Sequence, residues 1–332
     1  MGSFVPTRRE FLRTGAAAAG AALAARRSDA DPGAGDSAPG VEPGNPSTAP
    51  RARVVDAHSG RVVGSSGIDR AAVRDLLDAG LCELTGKARA SDAWQSILRS
   101  DDVIGIKFNR VASHTLGTTE PFAAALMQSL ADAEFDPARC VIFDVDARLI
   151  QQCGAKPPDD RFGGHEVDFG CGRDSFVAAL ERVTALINVP FLKTHHLALM
   201  TGCLKNLSHG LIRRPARFHA DGCDPAISRI VASEPIRSRL RLNVVNALRM
   251  LVEGGSRAAP TDRADSGRIL LSFDPVAADA VGFERINGAR RTRQLPPLLP
   301  YPHVPRFLVT SRDLNLGQFD AERMDLRKVA RP

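Results

Sequence analysis

The chain has 332 residues, 43% of them hydrophobic and 25% charged, and a formal net charge of +6. This length and composition are those of a globular protein with a sizeable core. Aromatic residues make up only 5%, so base stacking on nucleic acid is not expected. Part of the positive charge lies in the first 25 residues and the rest is scattered along the chain, which argues only weakly for a polyanionic partner.

Residues 1–25 have the pattern of an export signal. Arg8 and Arg9 precede Phe11 and Leu12, and an alanine-rich apolar run follows from 15 to 25. That run is shorter than the roughly 20 residues that a membrane-spanning helix needs, so no stable membrane anchor is expected. A twin arginine before Phe-Leu resembles a twin-arginine signal. We therefore predict passage through the twin-arginine translocation machinery to the periplasm, or export otherwise.

The next segment, 26–52, is rich in Gly, Pro, Ser, Ala and Asp. Such a composition cannot bury enough apolar surface to order itself, so a flexible linker is predicted. The mature domain is predicted to cover 53–320, followed by a C-terminal tail over 321–332.

Six short apolar runs bounded by turn residues are predicted to be strands. They are 103–108, 140–145, 185–190, 240–245, 269–273 and 307–310. Helical patterns are predicted over 120–133, over 175–183, and from a cap at Asp274 to Asn287-Gly288. This alternation predicts an α/β fold, with a largely parallel sheet flanked by helices in a single mature domain. The stretch 151–174 between them is predicted to be a long functional loop.

Polar side chains follow the predicted strands where each strand ends. They are Lys107, Asn109, Asp144, Asp146, Asn188, Lys193, Thr194, His195, His196, Asn243, Asn246 and Asp274. Ligands of open α/β sheets collect at the carboxyl ends of the strands. We therefore expect one site for an anionic or metal-bound small molecule, with Asp144, Lys193 and His195 as candidate catalytic groups.

The stretch 191–210, "FLKTHHLALMTGCLKNLSHG", carries the densest group of such residues. Thr201 and Gly202 are predicted to form a turn into a helix whose first N–H groups favour an anion. Lys193 and Lys205 are then expected to hold a phosphate or carboxylate. The alternative is that these two lysines merely balance Asp144 and Asp146. The full predicted ligand-binding set is Lys107, Asn109, Thr194, Thr201, Gly202, Lys205 and Asn206.

Lysine is scarce in this chain, because only six of the 44 basic residues are lysines. Three of them, Lys107, Lys193 and Lys205, lie in the motifs above. An ammonium is a compact charge whose pKa shifts on burial, unlike a guanidinium. The pattern therefore favours a functional use of these three lysines, with chance clustering as the alternative.

A divalent metal ion is a second expected ligand. His219 and Cys223 are four residues apart, and Asp221 lies between them, so the three could bind zinc or iron. The alternative is a solvated histidine–aspartate pair. His195 and His196 are consecutive on an extended chain and are expected to point to opposite sides, away from a shared ion. The cofactor itself is not predicted.

The six cysteines include no Cys-x-x-Cys pair, so a ferredoxin-type iron–sulfur cluster is not expected. In an oxidising compartment Cys153 could bridge Cys171, and Cys203 could bridge Cys223, although spacing alone does not decide connectivity. A Gly-x-Ser-x-Gly motif is also absent, which argues against an ordinary serine hydrolase.

Five segments in order resemble domain-of-unknown-function family 362. They are "DDVIGIKFN", "LINVPFLKTHHLALMTGCLKNLSHG", "FHADGCDPAI", "RLNVVNALRMLVEGG" and "ILLSFDPVAADAVG". The resemblance extends from about residue 53 to 320 and is most specific between Lys193 and Asn206. It implies an α/β fold and an exported, twin-arginine-signal type of member. Some relatives carry iron–sulfur cluster domains, whose cysteine array this chain lacks.

Three functions remain open from the sequence. The first is an exported protein that binds an anionic or metal-bound small molecule and acts on it. The second is a non-catalytic carrier of a metal or small anion. The third is a redox partner that depends on a cluster or a disulfide pair.

Overall fold

The computed structural model describes residues 51–159, 161–163, 166–300 and 302–332. The predicted export signal, and the predicted linker up to residue 50, lie outside the described residues. The first strand begins at Ala52. No helix in the described ranges combines the length and the apolar character needed to cross a membrane.

The described chain contains thirteen strands. They are β1 Ala52–Ser59, β2 Val63–Gly64, β3 Gly67–Ile68, β4 Ile104–Lys107, β5 Cys140–Phe143, β6 Val167–Asp168, β7 Arg173–Asp174, β8 Ala185–Asn188, β9 Phe191–His195, β10 Leu199–Thr201, β11 Leu240–Leu251, β12 Arg263–Ser272 and β13 Met324–Arg331. Nine of them form one sheet, in the order β13-β1-β12-β11-β8-β4-β5, with β9 paired to β11 and β10 paired to β9.

Ten α-helices accompany these strands in the described residues. They are α1 Arg70–Thr85, α2 Ala90–Ile97, α3 Ser113–Leu116, α4 Thr119–Asp132, α5 Ala147–Gln152, α6 Cys203–His209, α7 Ala226–Ala232, α8 Glu234–Arg237, α9 Pro275–Thr292 and α10 Arg306–Asp313.

Parallel pairing dominates the sheet. The pairs β4–β5, β4–β8, β8–β11, β9–β11 and β1–β13 are parallel, whereas β1–β12, β11–β12 and β9–β10 are antiparallel. The predicted fold class, a largely parallel α/β sheet flanked by helices, is confirmed.

The sheet separates two apolar layers, because successive residues of a strand point to opposite faces. Val55 belongs to the layer that contains Trp94 and Phe122, and its neighbour Val54 belongs to the layer that contains Leu204 and Phe283. In the first layer, buried Trp94 also donates through Nε1 to Ser129 Oγ at 2.8 Å. The result is a three-layer domain with helices on both faces of the sheet.

Several sequence predictions about elements were wrong. The run 307–310 is part of helix α10, whose buried residues Phe307, Leu308 and Ser311 have helical spacing, and Ser311 Oγ lies 2.8 Å from Ser228 Oγ. The segment 175–183 forms only a short 3₁₀ helix, Ala178–Glu181.

Two predicted ends were also wrong. Helix α9 continues through Asn287-Gly288 to Thr292, since buried Asn287 accepts from Leu298 N at 3.0 Å instead of ending the helix. The predicted C-terminal tail contributes β13, which pairs with β1 along its whole length.

The segment between Lys193 and Asn206 begins on strand β9. It lies beyond the edge of the sheet at which β4 and β8 end. Only Val189 and Pro190 separate β8 from β9, and both strands pair with the long β11. β9 then turns back into β10, which pairs Lys193 with Thr201, and β10 leads directly into α6.

Candidate functional site

A row of buried polar side chains crosses the sheet at the carboxyl ends of β4 and β8. Lys107 is the register partner of Asn188, Asn188 of Asn243, and Asn243 of Ser272. All four residues are fully buried. A buried polar group must find hydrogen-bond partners, so this row needs a network.

Asn206 of α6 completes that network. Asn188 Nδ2 donates to Asn243 Oδ1 at 2.9 Å, and Asn206 Nδ2 donates to Asn188 Oδ1 at 2.8 Å. Asn206 Nδ2 also reaches Lys107 O at 3.1 Å, and Lys107 Nζ donates to Asn206 Oδ1 at 3.2 Å. We call Lys107, Asn188, Asn206 and Asn243 the amide ladder.

Lys107 has no donor left for a ligand. Besides Asn206, its Nζ donates to Asp144 Oδ2 and to Phe108 O, both at 2.7 Å. An ammonium has three donors, and all three are used. Burial lowers the pKa of Lys107, and the half-exposed Asp144 carboxylate opposes that shift. The structure thus brings Lys107 and Asp144, which were predicted to lie at one site, together as an ion pair.

A second group of titratable residues includes Lys205, the residue before Asn206 on α6. It consists of Lys193, His195, His196, Lys205, His209, His219 and Cys223, and we call it the lysine–histidine cluster. Lys205 Nζ lies 3.5 Å from His219 Nε2 and 3.5 Å from Cys223 Sγ. Lys193 Nζ donates to Thr201 Oγ1 at 3.2 Å.

The two lysines of this cluster are buried without a carboxylate. Lys193 is 2% exposed and Lys205 is 5% exposed, and neither takes part in an ion pair among the described residues. Asp144 is engaged by Lys107, and Asp146 caps α5 by accepting from Leu149 N at 2.8 Å. The alternative that these aspartates balance the two lysines is therefore wrong.

Burial sets the ionisation of both lysines. Burial and, after it, the nearby charge of Lys205 together lower the pKa of Lys193 to about 8. Burial also lowers the pKa of Lys205. The remaining three lysines, Lys87, Lys156 and Lys328, are exposed. The three lysines of the predicted motifs are thus the three buried ones.

The histidines form the partly exposed side of the cluster. The rings of His195 and His196 stack at 4.9 Å between centroids, and His195 and His219 stack at 5.8 Å. The prediction that His195 and His196 point to opposite sides was wrong, because β9 ends at His195 and the chain turns there. His196 and the neighbouring Leu197 are exposed.

Hydrogen bonds fix the tautomer of two histidines. His195 Nδ1 accepts from the backbone N–H of Leu197 at 3.2 Å and of Ala198 at 3.1 Å, so its proton is on Nε2. His219 Nδ1 donates to Pro215 O at 2.9 Å, which leaves Nε2 as an acceptor facing Lys205. Burial and then Lys205 lower the pKa of His195 to about 2, so its ring stays neutral at ordinary pH.

Three atoms of the cluster are close enough to share a metal ion. The ligand atoms of His209, His219 and Cys223 lie within 4.8 Å of one another, and two imidazoles with a thiolate suit zinc. His209 takes the place expected for Asp221, which is exposed and lies in a left-handed turn. The Lys205 amino group contacts two of these atoms, so a cation there would meet a like charge.

The backbone N–H groups at the start of α6 already bind a carboxyl group of the protein itself. Asp279 of α9 accepts from Cys203 N at 2.5 Å and from Leu204 N at 3.0 Å. Gly202 permits this approach, because a Cβ at that position would collide with the Asp279 carboxylate. Burial raises the pKa of Asp279 to about 7. The N–H groups predicted to favour a ligand anion are thus occupied.

The other predicted binding residues are buried near the cluster or the ladder. Thr201 contacts Lys193 as described, and Thr194 Oγ1 accepts from Gly255 N at 3.4 Å. Asn109 is 8% exposed and its Oδ1 accepts from Val111 N at 3.0 Å. All six cysteines lie in the described ranges and are free thiols, so neither possible disulfide pair forms.

Sequence reasoning did not single out Asp279 or His209. Asp279 lies in the apolar stretch "VAADAVGF", and a lone acid on the apolar side of a helix is a sign of a buried partner. His209 lies four residues after Lys205 on α6, and therefore on the same face of the helix.

Fold and site together define an α/β protein with an amide ladder at the strand ends and a cationic cluster beside it. The family model described as "Domain of unknown function (DUF362)" matches residues 147–284, somewhat less than half of the chain. The match supports that family for this chain, and it includes every residue of the lysine–histidine cluster. No curated protein matches the chain.

Proposed function

We propose that the protein binds a small anionic molecule between Lys193 and Lys205. The observation that carries this proposal is the pair of buried ammonium groups that have no carboxylate partner among the described residues. Taking an ammonium out of water costs several kcal/mol unless an opposite charge compensates it. A phosphate or carboxylate group would supply that charge and would accept the free donors of both lysines.

The surroundings of the lysines suit such a ligand. The Thr201 hydroxyl and the Nε2–H of His195 are further neutral donors close to the charge. The exposed His196 and Leu197 mark the side from which a small molecule would enter. Because His195 stays neutral, it can donate a hydrogen bond to the ligand without adding a third positive charge.

Catalysis at this site would use Lys193 and His195. A lysine with a pKa near 8 can exchange a proton close to neutral pH, and a neutral imidazole can polarise an oxygen of the ligand. Asp144, the third predicted catalytic residue, belongs to the ion pair with Lys107. We therefore assign Asp144 to support of the amide ladder.

Thermal unfolding with added anions tests the binding proposal. Phosphate and small carboxylates are expected to raise the melting temperature of the full chain above that in sodium chloride of equal ionic strength. Lys193→Met and Lys205→Met are expected to remove this effect. Lys87→Met, which changes an exposed lysine, is the matched control. Equal stabilisation of all three variants would contradict the proposal.

A divalent metal ion is the second candidate ligand, and the proximity of His209, His219 and Cys223 favours it. Metal analysis of the purified protein separates the two. Stoichiometric zinc that is lost in both His219→Ala and Cys223→Ala would replace the anion proposal with a metal site. Substoichiometric metal that these variants do not change would leave the anion proposal in place.

We also propose export through the twin-arginine pathway, on the evidence of Arg8 and Arg9 followed by Phe11-Leu12 and an apolar run. The test is to replace both arginines by lysine and to follow the protein in cell fractions. Loss of the exported form supports the proposal, and unchanged fractionation refutes it.

A further inference from the structure

We propose that Lys193 is a nucleophile that forms an imine with a small oxo acid, a molecule with one carboxylate and one aldehyde or ketone group. This inference rests on the proposed function and names the substrate class and the chemistry of the same site. Lys205 is assigned to the carboxylate, and Lys193 to the carbonyl carbon.

The contacts of the three buried lysines separate their roles. Lys107 is saturated by three acceptors, which fixes it in place. Lys193 makes one hydrogen bond among the described residues, to the hydroxyl of Thr201. A lysine that is desolvated beside a second cation is the type that attacks carbonyl groups, because a larger share of it is the neutral amine. Lys193 has both properties, since it is 2% exposed and lies in the field of Lys205.

Lys205 is the better group for holding a carboxylate. Its Nζ lies between His219 Nε2 and Cys223 Sγ, which fix its position and leave a donor for a ligand. A carboxylate bound there would bring the attached carbonyl towards Lys193. Holding two reactants in place in this way converts a bimolecular step into a unimolecular one.

His195 provides a hydrogen-bond donor for the carbonyl oxygen of the oxo acid. Its Nδ1 is occupied by two backbone N–H groups, so Nε2–H is the donor that remains. As the neutral Lys193 amine attacks, a C–N bond forms, the carbonyl π electrons move to oxygen, and Nε2–H donates to that oxygen. Fixed donors aimed at a developing oxyanion are a strong source of rate enhancement.

The step balances without an oxidant or reductant. A proton passes from the new nitrogen to the oxygen through water at the open side of the cluster, which gives a carbinolamine. The nitrogen lone pair then expels the hydroxyl, which takes up a proton and leaves as water. One neutral amine, one carbonyl and one proton taken from solvent water thus give one protonated imine and one water. The proton replaces the one that the Lys193 ammonium gave to solvent before the attack, so the positive charge of the lysine is restored.

Borohydride trapping tests the inference. The full chain is incubated with pyruvate, or with succinic semialdehyde as a longer oxo acid, and is then reduced. We expect one covalent adduct per chain, which for pyruvate has the mass of pyruvic acid less one oxygen. Peptide mapping of the wild-type protein is expected to place it on Lys193. This reading does not depend on whether any variant folds.

Three variants sharpen the result. Lys193→Arg keeps the charge but is not a nucleophile, and is expected to abolish the adduct. Lys205→Met is expected to raise the oxo acid concentration needed for half-maximal labelling at least tenfold. Lys87→Arg, at an exposed site, is expected to label like the wild type.

The outcomes distinguish this inference from the proposed function. If pyruvate raises the melting temperature and neither oxo acid gives an adduct, imine formation is refuted and anion binding stands. If there is neither stabilisation nor adduct, both proposals fail. An adduct on Lys205, or one spread over exposed lysines, also overturns the assignment of Lys193.

Discussion

Asp279, in the second turn of α9, accepts a 2.5 Å hydrogen bond from the backbone N–H of Cys203, the first residue of α6. The acid lies 76 positions further along the chain, so a distant helix caps the short helix that carries Lys205, Asn206 and His209. The orientation of the cluster therefore depends on a carboxylate that contacts none of its titratable side chains directly.

Asp279→Asn is expected to change how stability depends on pH. Burial raises the pKa of Asp279 from 3.8 to about 7. Between these values the folded state holds a proton that the unfolded state has lost, so the free energy of unfolding falls as pH rises. The fall is at most about 4 kcal/mol. Urea unfolding at about pH 5 and about pH 7.5 covers about two of these pH units and should show a fall of roughly 3 kcal/mol. A variant whose stability falls as steeply as that of the wild type would contradict this role.

Lys193→Met is expected to lose anion binding and to raise the free energy of unfolding. The pKa of Lys193 is about 8 in the folded protein, against 10.5 ordinarily. Below pH 8 the full cost of burying the charge is present, and it disappears as pH rises to 10.5. Near pH 7 the variant should be more stable by up to roughly 3 kcal/mol, and should lose stabilisation by phosphate. Between about pH 8 and about pH 10 the wild type should gain more stability than the variant, which keeps only the contributions of the other buried lysines. Parallel profiles would count against an unpaired ammonium.

Gly210→Ala is expected to damage the amide ladder. A Cβ at Gly210 would lie inside contact distance of Lys107 Nζ and Cε. Lys107 cannot move aside, because three hydrogen bonds hold its buried Nζ. We expect a loss of about 1–3 kcal/mol in urea unfolding, the usual cost of overpacking. Gly60→Ala, where a Cβ would meet no atom within 4 Å, is the matched control and should lose less.

Asn188→Ala is expected to be more destabilising than its size suggests. The change removes the partner of Asn206 and of Asn243 and leaves buried amide groups unsatisfied. The expected loss is about 2–4 kcal/mol. A double-mutant cycle with Asn243→Ala should give a coupling energy of roughly 1 kcal/mol, measured by urea unfolding. Strictly additive losses would mean that the ladder is not a network.

The sequence predicted those features that depend on local pattern. Short apolar runs located β4, β5 and β8 within two residues, and their carboxyl ends gave Lys107 and Asn188 correctly as neighbours. The run 307–310 misled because Phe-Leu-Val-Thr suits a strand as well as one face of a helix.

Long-range partners could not be predicted from spacing. The sequence does not show that Asp144 is engaged by Lys107 whereas Lys193 has no acid, because that depends on which strands are neighbours. The stacking of His195 on His196 depends on the end of β9 at that residue, and element ends are poorly determined by local pattern.

Lys205 and Asn206 are consecutive residues of α6. Lys205 contacts Cys223 of the lysine–histidine cluster, and Asn206 donates to Asn188 of the amide ladder. If α6 were shifted by a single residue, the Lys205 ammonium would lie against Lys107. The buried amides of Asn188 and Asn243 would then lose their hydrogen-bond partner. The hydrogen bonds of the ladder therefore fix the rotation of α6 about its own axis in the absence of a ligand. The cationic groups are held in place by the fold, so the proposed binding of an anion would require little rearrangement of the backbone.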